Sequence, residues 1–508
     1  MVHIVLRFLL SNFWRYTVCS LLYNFGAFLF WIVVPLLATQ QGATNLDLAI
    51  INAVNYGSCF LLSWLCGFIN DQIAGWILVR IGVVIYIAAC ILLMFVNNNL
   101  WILWIMAIMY AISYVFFWVP IQCSISRESD PVDADFWLGV FSGSWTFGQA
   151  VGYLCGAFLF TKLGVVQSLS ISIASLSLIL FLYPCWEGTT VFGVDLNWKK
   201  KTSEQQKERI GVITMGKKER HRLKKRMMQY LVPAFLCSIG CYGTVLAYGS
   251  QYFNRVYGTK DAFFPSMKDS ASKYDIFIGV FFFVVFLMFT IGFISVANFK
   301  FLFFNRWNMI VFLIISTAVH FIAGAVSNWI VQLVCGMMMG FCAAYASQNL
   351  LVTTSKLSLL TSRMSSVYVG LQESLTFNLV AFALPLIVGP ISDALNDYRV
   401  PMFGCSVVCV LAICMLEVIW QMYDILVIQK MDKEDKMRVD VLFNKITTTQ
   451  KCSILSRNGE EFEKYSRANW FTWKQYNLMT KKLKNKMKCV GSESNTATSS
   501  SSLQESTN

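Results

Sequence analysis

Charge is scarce in this chain. Only 14% of its 508 residues are Asp, Glu, Lys or Arg, where a soluble domain carries about 25%. Histidine is scarcer still: His3, His221 and His320 are the three present, and none has a partner at ligand spacing. No Cys-x-x-Cys pair occurs among the 16 cysteines. The sequence therefore predicts no metal site and no cofactor. A Walker loop, a nucleophile triad and paired catalytic carboxylates are also missing, which argues against an enzyme. Negative charge is the shorter side of the balance, with 28 Asp and Glu against 41 Lys and Arg, a net +13. The basic residues gather in two blocks outside the apolar runs and form no face that would track phosphates, so nucleic acid is excluded as a partner.

Apolar residues are what the chain has in excess. They make up 56% of it, with 41 Phe, 20 Tyr and 16 Trp and a mean hydropathy of +0.56. A water-soluble fold of this length could not hide them all. The expectation is an all-α polytopic membrane protein, with the lipid bilayer as its first partner. Most cysteines lie in the apolar runs, where they act as small, polarizable packing residues. The first run is too long for a cleavable signal and lacks a small-residue cleavage site.

Crossing the hydrocarbon core as a helix takes about 20 apolar residues. Twelve stretches qualify: 17–38, 49–69, 75–96, 99–120, 137–160, 163–185, 229–253, 277–297, 307–327, 329–350, 366–389 and 400–422. With the N-terminus placed in the cytoplasm, 35 Lys and Arg fall inside and 6 outside, so both termini are expected to be cytoplasmic. The segment order is then an N-terminal six-helix bundle (1–186), a basic cytoplasmic linker (187–228), a C-terminal six-helix bundle (229–425) and a cytoplasmic tail (426–508). The linker carries Lys199-Lys200-Lys201 and the run Arg220 to Arg226. It either sets topology or meets anionic lipid. In the tail, Trp470, Phe471, Trp473 and Tyr476 precede a lysine cluster and Cys489, a pattern that suits an interfacial segment with an acylation site. From Gly491 onward the composition is Ser-rich and disorder is expected.

Six spans plus six suggest duplication. Gly67-Phe68-Ile69 is matched by Gly292-Phe293-Ile294, Gln122 by Gln348, and Ser144-Trp145-Thr146-Phe147 by Ser374-Leu375-Thr376-Phe377, at offsets of 225, 226 and 230 residues.

Two motifs carry a family resemblance. After the second span the chain reads Gly67-Phe68-Ile69-Asn70-Asp71-Gln72-Ile73-Ala74-Gly75, and the fifth span spaces Gly139, Gly148, Gly152 and Gly156 by nine, four and four. These resemble the major facilitator superfamily, whose loop motif shares the Gly and Asp but continues with Arg, Gly and Arg. Tyr153 and Ala157 stand where the family's fifth-span motif has proline and its last glycine. The resemblance implies two six-helix bundles around a central cavity. Asn55-Tyr56-Gly57-Ser58, Trp118 to Cys123, Leu231-Val232-Pro233 and Gly249 to Tyr252 are similar to the Unc-ninety-three branch, which implies channel regulation or receptor trafficking. Asp71 is expected to cap the third span, to pair with a cytoplasmic Arg, or to act as a conformational latch. Gly148, Gly152 and Gly156 are expected on a close helix contact.

Ionisable residues within apolar spans are functional candidates by default. Glu373 lies in the densest polar cluster, beside Gln372, Ser374, Thr376 and Asn378. It either lines a wet cavity or pairs with Arg363. His320 reads as a hydrogen-bonded core histidine, and Glu417 as a group close enough to the span's end to snorkel. In the first half the polar candidates are neutral: Asn24, Asn52, Asn55, Tyr56 and Gln149. No charge occurs from Trp101 to Pro120, where proton-coupled members of the superfamily often carry an arginine. The function expected is a secondary transporter moving a small, neutral or amphipathic solute by alternating access, without the usual proton exchange. The alternative is a non-transporting regulatory or trafficking subunit of a channel or receptor on the same fold.

Overall fold

The computed structural model describes residues 13–95, 100–128, 134–184, 217–229, 270–298, 305–359 and 366–425, with single positions at 241, 244, 245, 252, 302 and 303. The described residues form helices and turns, with no strand among them. The first half holds α1 (Phe13–Gln40), α2 (Asn45–Asn70), α3 (Gly75–Met94), α4 (Leu100–Glu128), α5 (Ala134–Leu163) and α6 (Val165–Leu182). A basic helix, α7 (Lys217–Met228), follows. The second half holds α8 (Ser270–Asn298), α9 (Arg306–Ala325), α10 (Trp329–Leu359), α11 (Ser366–Glu373), α12 (Leu379–Leu395) and α13 (Val400–Tyr423). A π turn, Ser374–Asn378, joins α11 to α12. The expected spans at 229–253 and the tail beyond 425 lie almost wholly outside the described residues, as does most of the linker. Eleven expected spans are helical. The eleventh differs from expectation, because its helix is broken by the π turn and runs on to Leu395.

Local chemistry sets the helix ends. Thr44 and Asp47 form a capping box at the start of α2: the Thr44 Oγ1 accepts from the Asp47 N–H at 3.2 Å and the Asp47 carboxylate accepts from the Thr44 N–H at 2.8 Å. The Asn305 side chain accepts from the Trp307 and Asn308 N–H groups to open α9. Gly164, at φ +87°, makes the reversal between α5 and α6, in a backbone region that side chains other than glycine rarely adopt. Before α13, Asp397 accepts from the Arg399 N–H, Nε and guanidinium, each at 3.0 Å. The Arg399 hydrogen bonds hold the Asp397 carboxyl below its ordinary range.

Nine of the described helices are long and apolar enough to cross a membrane. Large apolar side chains such as Leu61, Phe181, Val311 and Val407 are more than half exposed on the outside. Such a surface belongs in lipid, where backbone groups must find partners inside their own helix.

Small residues decide which helices touch most closely. Gly148, Gly152 and Gly156 lie against α1, where an added Cβ at Gly152 would come within 2.8 Å of the Phe25 carbonyl oxygen. On another face of α5, Gly139 meets Ala297 of α8 and Ala157 meets Gly279 of α8. Thr146 and Thr290 share a hydrogen bond of 2.9 Å across the same seam. A second seam joins α2 to α11 and α12. There Gly67 sits so close to α11 that a Cβ would lie 2.7 Å from the Ser366 carbonyl oxygen. These two seams connect the first helices to the last, and the space left between them is the cavity described below.

Asp71 corrects one expectation. It follows the last residue of α2, and α3 begins at Gly75 with no side-chain cap. Its Oδ1 accepts instead from the Ser366 N–H at 3.1 Å, at the start of α11. The orphan N–H groups of α11 are the ones that need an acceptor there, and a carboxylate suits that end of a helix. Glu417 does not snorkel alone: it is ion-paired with Arg306 of α9, whose guanidinium also lies 5.7 Å from the Trp420 ring.

Candidate functional site

A cavity of about 110 Å³, measured as the room for water centres, lies between the two seams. Each half contributes walls to it. From α1 come Phe28 and Trp31, and from α2 come Asn55, Tyr56 and Cys59. Helix α4 offers Tyr110, Tyr114, Trp118 and Gln122, a stripe with a side chain every fourth residue. Phe141, Trp145 and Gln149 project from α5. The second half supplies Phe286 and Phe289 from α8, Ser347, Leu350 and Leu351 from α10, and then Gln372, Glu373, Phe377 and Asn378 around the π turn.

Glu373 is the chemical centre of this space. Its Oε1 accepts from Gln122 Nε2 at 2.7 Å and its Oε2 accepts from the Tyr114 hydroxyl at 3.2 Å. Both donors sit on α4, so the carboxylate ties the second half to the first. Burial of a carboxylate is costly unless hydrogen bonds compensate it. Among the described residues lining the cavity there is no Lys, Arg or His. Arg363, the alternative partner expected from the sequence, lies outside the described residues.

The π turn follows at once. Asn378 Nδ2 donates to the Glu373 carbonyl oxygen at 2.7 Å. Ser374 Oγ donates across the seam to the Phe60 carbonyl of α2 at 2.8 Å. Such single π turns recur at functional sites, because they re-aim side chains without ending the helix.

The candidates from the sequence divide three ways. Asn55, Tyr56, Gln149, Gln372, Glu373 and Asn378 line the cavity. Asn52 lines a smaller adjoining pocket instead, where its Nδ2 donates to the Leu48 carbonyl, and Tyr56 borders both spaces. Asn24 corrects the expectation: it lies behind the wall, accepting from Gln149 Nε2 at 3.1 Å and donating to the Ser20 carbonyl at 2.7 Å. His320 is buried away from the cavity, with Nδ1 2.7 Å from the Ser316 carbonyl oxygen. Tyr114, Trp118 and Trp145 were not legible as site residues, since an aromatic in an apolar run looks like core. The four-residue stripe ending in Gln122 was the available signal. Among the described residues no group of His, Cys, Asp and Glu could hold a metal ion.

The model of the family described as Major Facilitator Superfamily matches residues 16–375. The chain belongs to the major facilitator superfamily. That superfamily's fold is also seen in the solved structure of a variant of the E. coli fucose:proton symporter FucP, which aligns with a TM-score of 0.51 and 12% identity over 80% of this chain and 98% of that one. At that identity the likeness speaks for the fold alone. No curated protein matches the chain in sequence. As a superfamily member it is an integral multi-pass membrane protein with the architecture of a secondary transporter.

Proposed function

We propose that the protein moves a small neutral or amphipathic solute across a membrane by alternating access of the central cavity. The observation that carries this reading is a buried, polar-centred cavity shared by both halves and framed by two seams. Rocking about those seams exposes the cavity first to one side and then to the other. The small-residue contacts of α5 on α8 and of α2 on α11 suit that motion, since they bring backbones together without interlocking long side chains. A regulatory subunit has no need of a carboxylate held inside such a space, which sets the transporter ahead of that alternative.

Coupling to two exchanging titratable groups has little support. The partners of Glu373 are neutral, and α4 has no charge from Trp101 to Pro120. Facilitated diffusion, or cation coupling through neutral oxygens, fits better. The Lys and Arg distribution supports a cytoplasmic side for both termini and the basic linker.

The test is reconstitution of the full chain in liposomes with a broad solute panel, with and without ion gradients. Uptake of at least one solute, altered in turnover by Glu373→Gln, is expected. No uptake of any solute, or a Glu373→Gln protein with unchanged turnover, would count against the proposal.

A further inference from the structure

The walls of the cavity differ sharply in kind from its centre. Eleven of its twenty-one described lining residues are aromatic, and Glu373 is the acidic one among them. The rings form a connected wall: Tyr114 and Trp118 have centroids 6.0 Å apart, Trp118 and Trp145 5.6 Å, and Trp145 and Phe289 5.5 Å. Opposite, Tyr56 and Phe377 meet edge to face at 5.1 Å. Aromatic faces attract cations, Trp most strongly, and the attraction grows when water is excluded.

The carboxylate has capacity to spare. An ionised Glu offers about four lone-pair sites, and Gln122 and Tyr114 occupy one on each oxygen. Neutral donors orient the negative charge without cancelling it.

From these observations, and resting on the transport reading above, we infer that the solute is an amphipathic organic monocation: an ammonium group on an apolar body. The ammonium lies between Glu373 and the aromatic wall. An anion is rejected by the carboxylate, which no cation among the described lining residues offsets.

The experiment compares charged and uncharged solutes of one shape. The full chain in lipid nanodiscs is titrated with acetylcholine and benzyltrimethylammonium, used as probes, and with the carbon isosteres in which the quaternary nitrogen is replaced. Tryptophan fluorescence and thermal unfolding report binding, and liposomes report uptake. At least one cation should bind tenfold or more tightly than its isostere. Glu373→Gln should bring that ratio close to one, Glu373→Asp should retain most of it, and Trp145→Ala should weaken the cation more than the isostere. Equal binding of cation and isostere would overturn the charge assignment while leaving transport standing if either is taken up. Failure of every cation to bind would overturn it too. Preferential cation binding without uptake of any solute supports the site and sinks the transport reading alone.

Discussion

Asp71, one residue beyond α2, accepts a hydrogen bond at 3.1 Å from the backbone N–H of Ser366, the first residue of α11. Next to it, Asn70 Nδ2 donates to the Ser366 hydroxyl at 2.8 Å. At the far end of the same seam the roles reverse: the Leu46 N–H, in the first turn of α2, donates to Asp393 Oδ2 at 3.2 Å. Each helix N-terminus is thus capped by a carboxylate near the other helix's C-terminus.

This arrangement makes Asp71 a removable latch. Loss of a helix cap costs about 1 kcal/mol, enough to shift an equilibrium between closed and open ends several-fold. Cysteines placed by Asn70→Cys and Ser366→Cys should cross-link quickly on oxidation, and adding Asp71→Ala should slow that cross-link several-fold. An unchanged cross-linking rate would remove the latch.

Gly370 faces α2 so closely that an added Cβ would overlap the Ser63 carbonyl oxygen. Overpacking of this kind costs about 1–3 kcal/mol. Gly370→Ala should lower the unfolding temperature of the purified protein by several degrees. Leu61→Ala, on the exposed side of α2 at 59% exposure, serves as the control and should do much less.

Tyr114 and Gln122 hold the Glu373 carboxylate in place. A hydrogen bond to a charged group is worth about 1.5–3 kcal/mol. Tyr114→Phe is expected to raise the half-saturating solute concentration several-fold with a small change in unfolding temperature. Combined with Glu373→Gln, it should add little further loss, because the two residues act through one contact. Additive losses would show that Tyr114 acts elsewhere.

Topology has its own test. Tags introduced at Lys200, in the linker, and at Lys268, ahead of α8, should be accessible from opposite sides of the membrane. Labelling of both from one side would overturn the placement.

The long apolar runs made the helices legible, because a bilayer leaves a chain few other ways to satisfy its backbone. Helix ends were less so. Asp71 was placed near α3 because a sequence shows neighbours along the chain, whereas its partner lies 295 residues away. Asn55 and Glu373 stood out against apolar surroundings, and both line the cavity. Asn24 looked the same and lies one layer too deep, since one face of a buried helix cannot be told from another when both are covered. Trp118 and Trp145 were hidden by abundance.

The two latches impose a length condition on the seam they close. Twenty-five residues separate Leu46 from Asp71, and twenty-seven separate Ser366 from Asp393. At 1.5 Å per residue the second path is about 3 Å too long for the first if both are regular helices. With its ends pinned, that helix carries slack. The wide turn at Ser374–Asn378, closed by the Leu379 N–H on the Ser374 carbonyl, takes up part of it beside Glu373. Slack of this sort can travel: moving the wide turn along the helix rotates the residues it passes by a fraction of a turn and leaves both ends fastened. The orientation of the carboxylate and the closure of the seam are therefore separately adjustable, as the vernier of a gauge moves while its jaws stay shut.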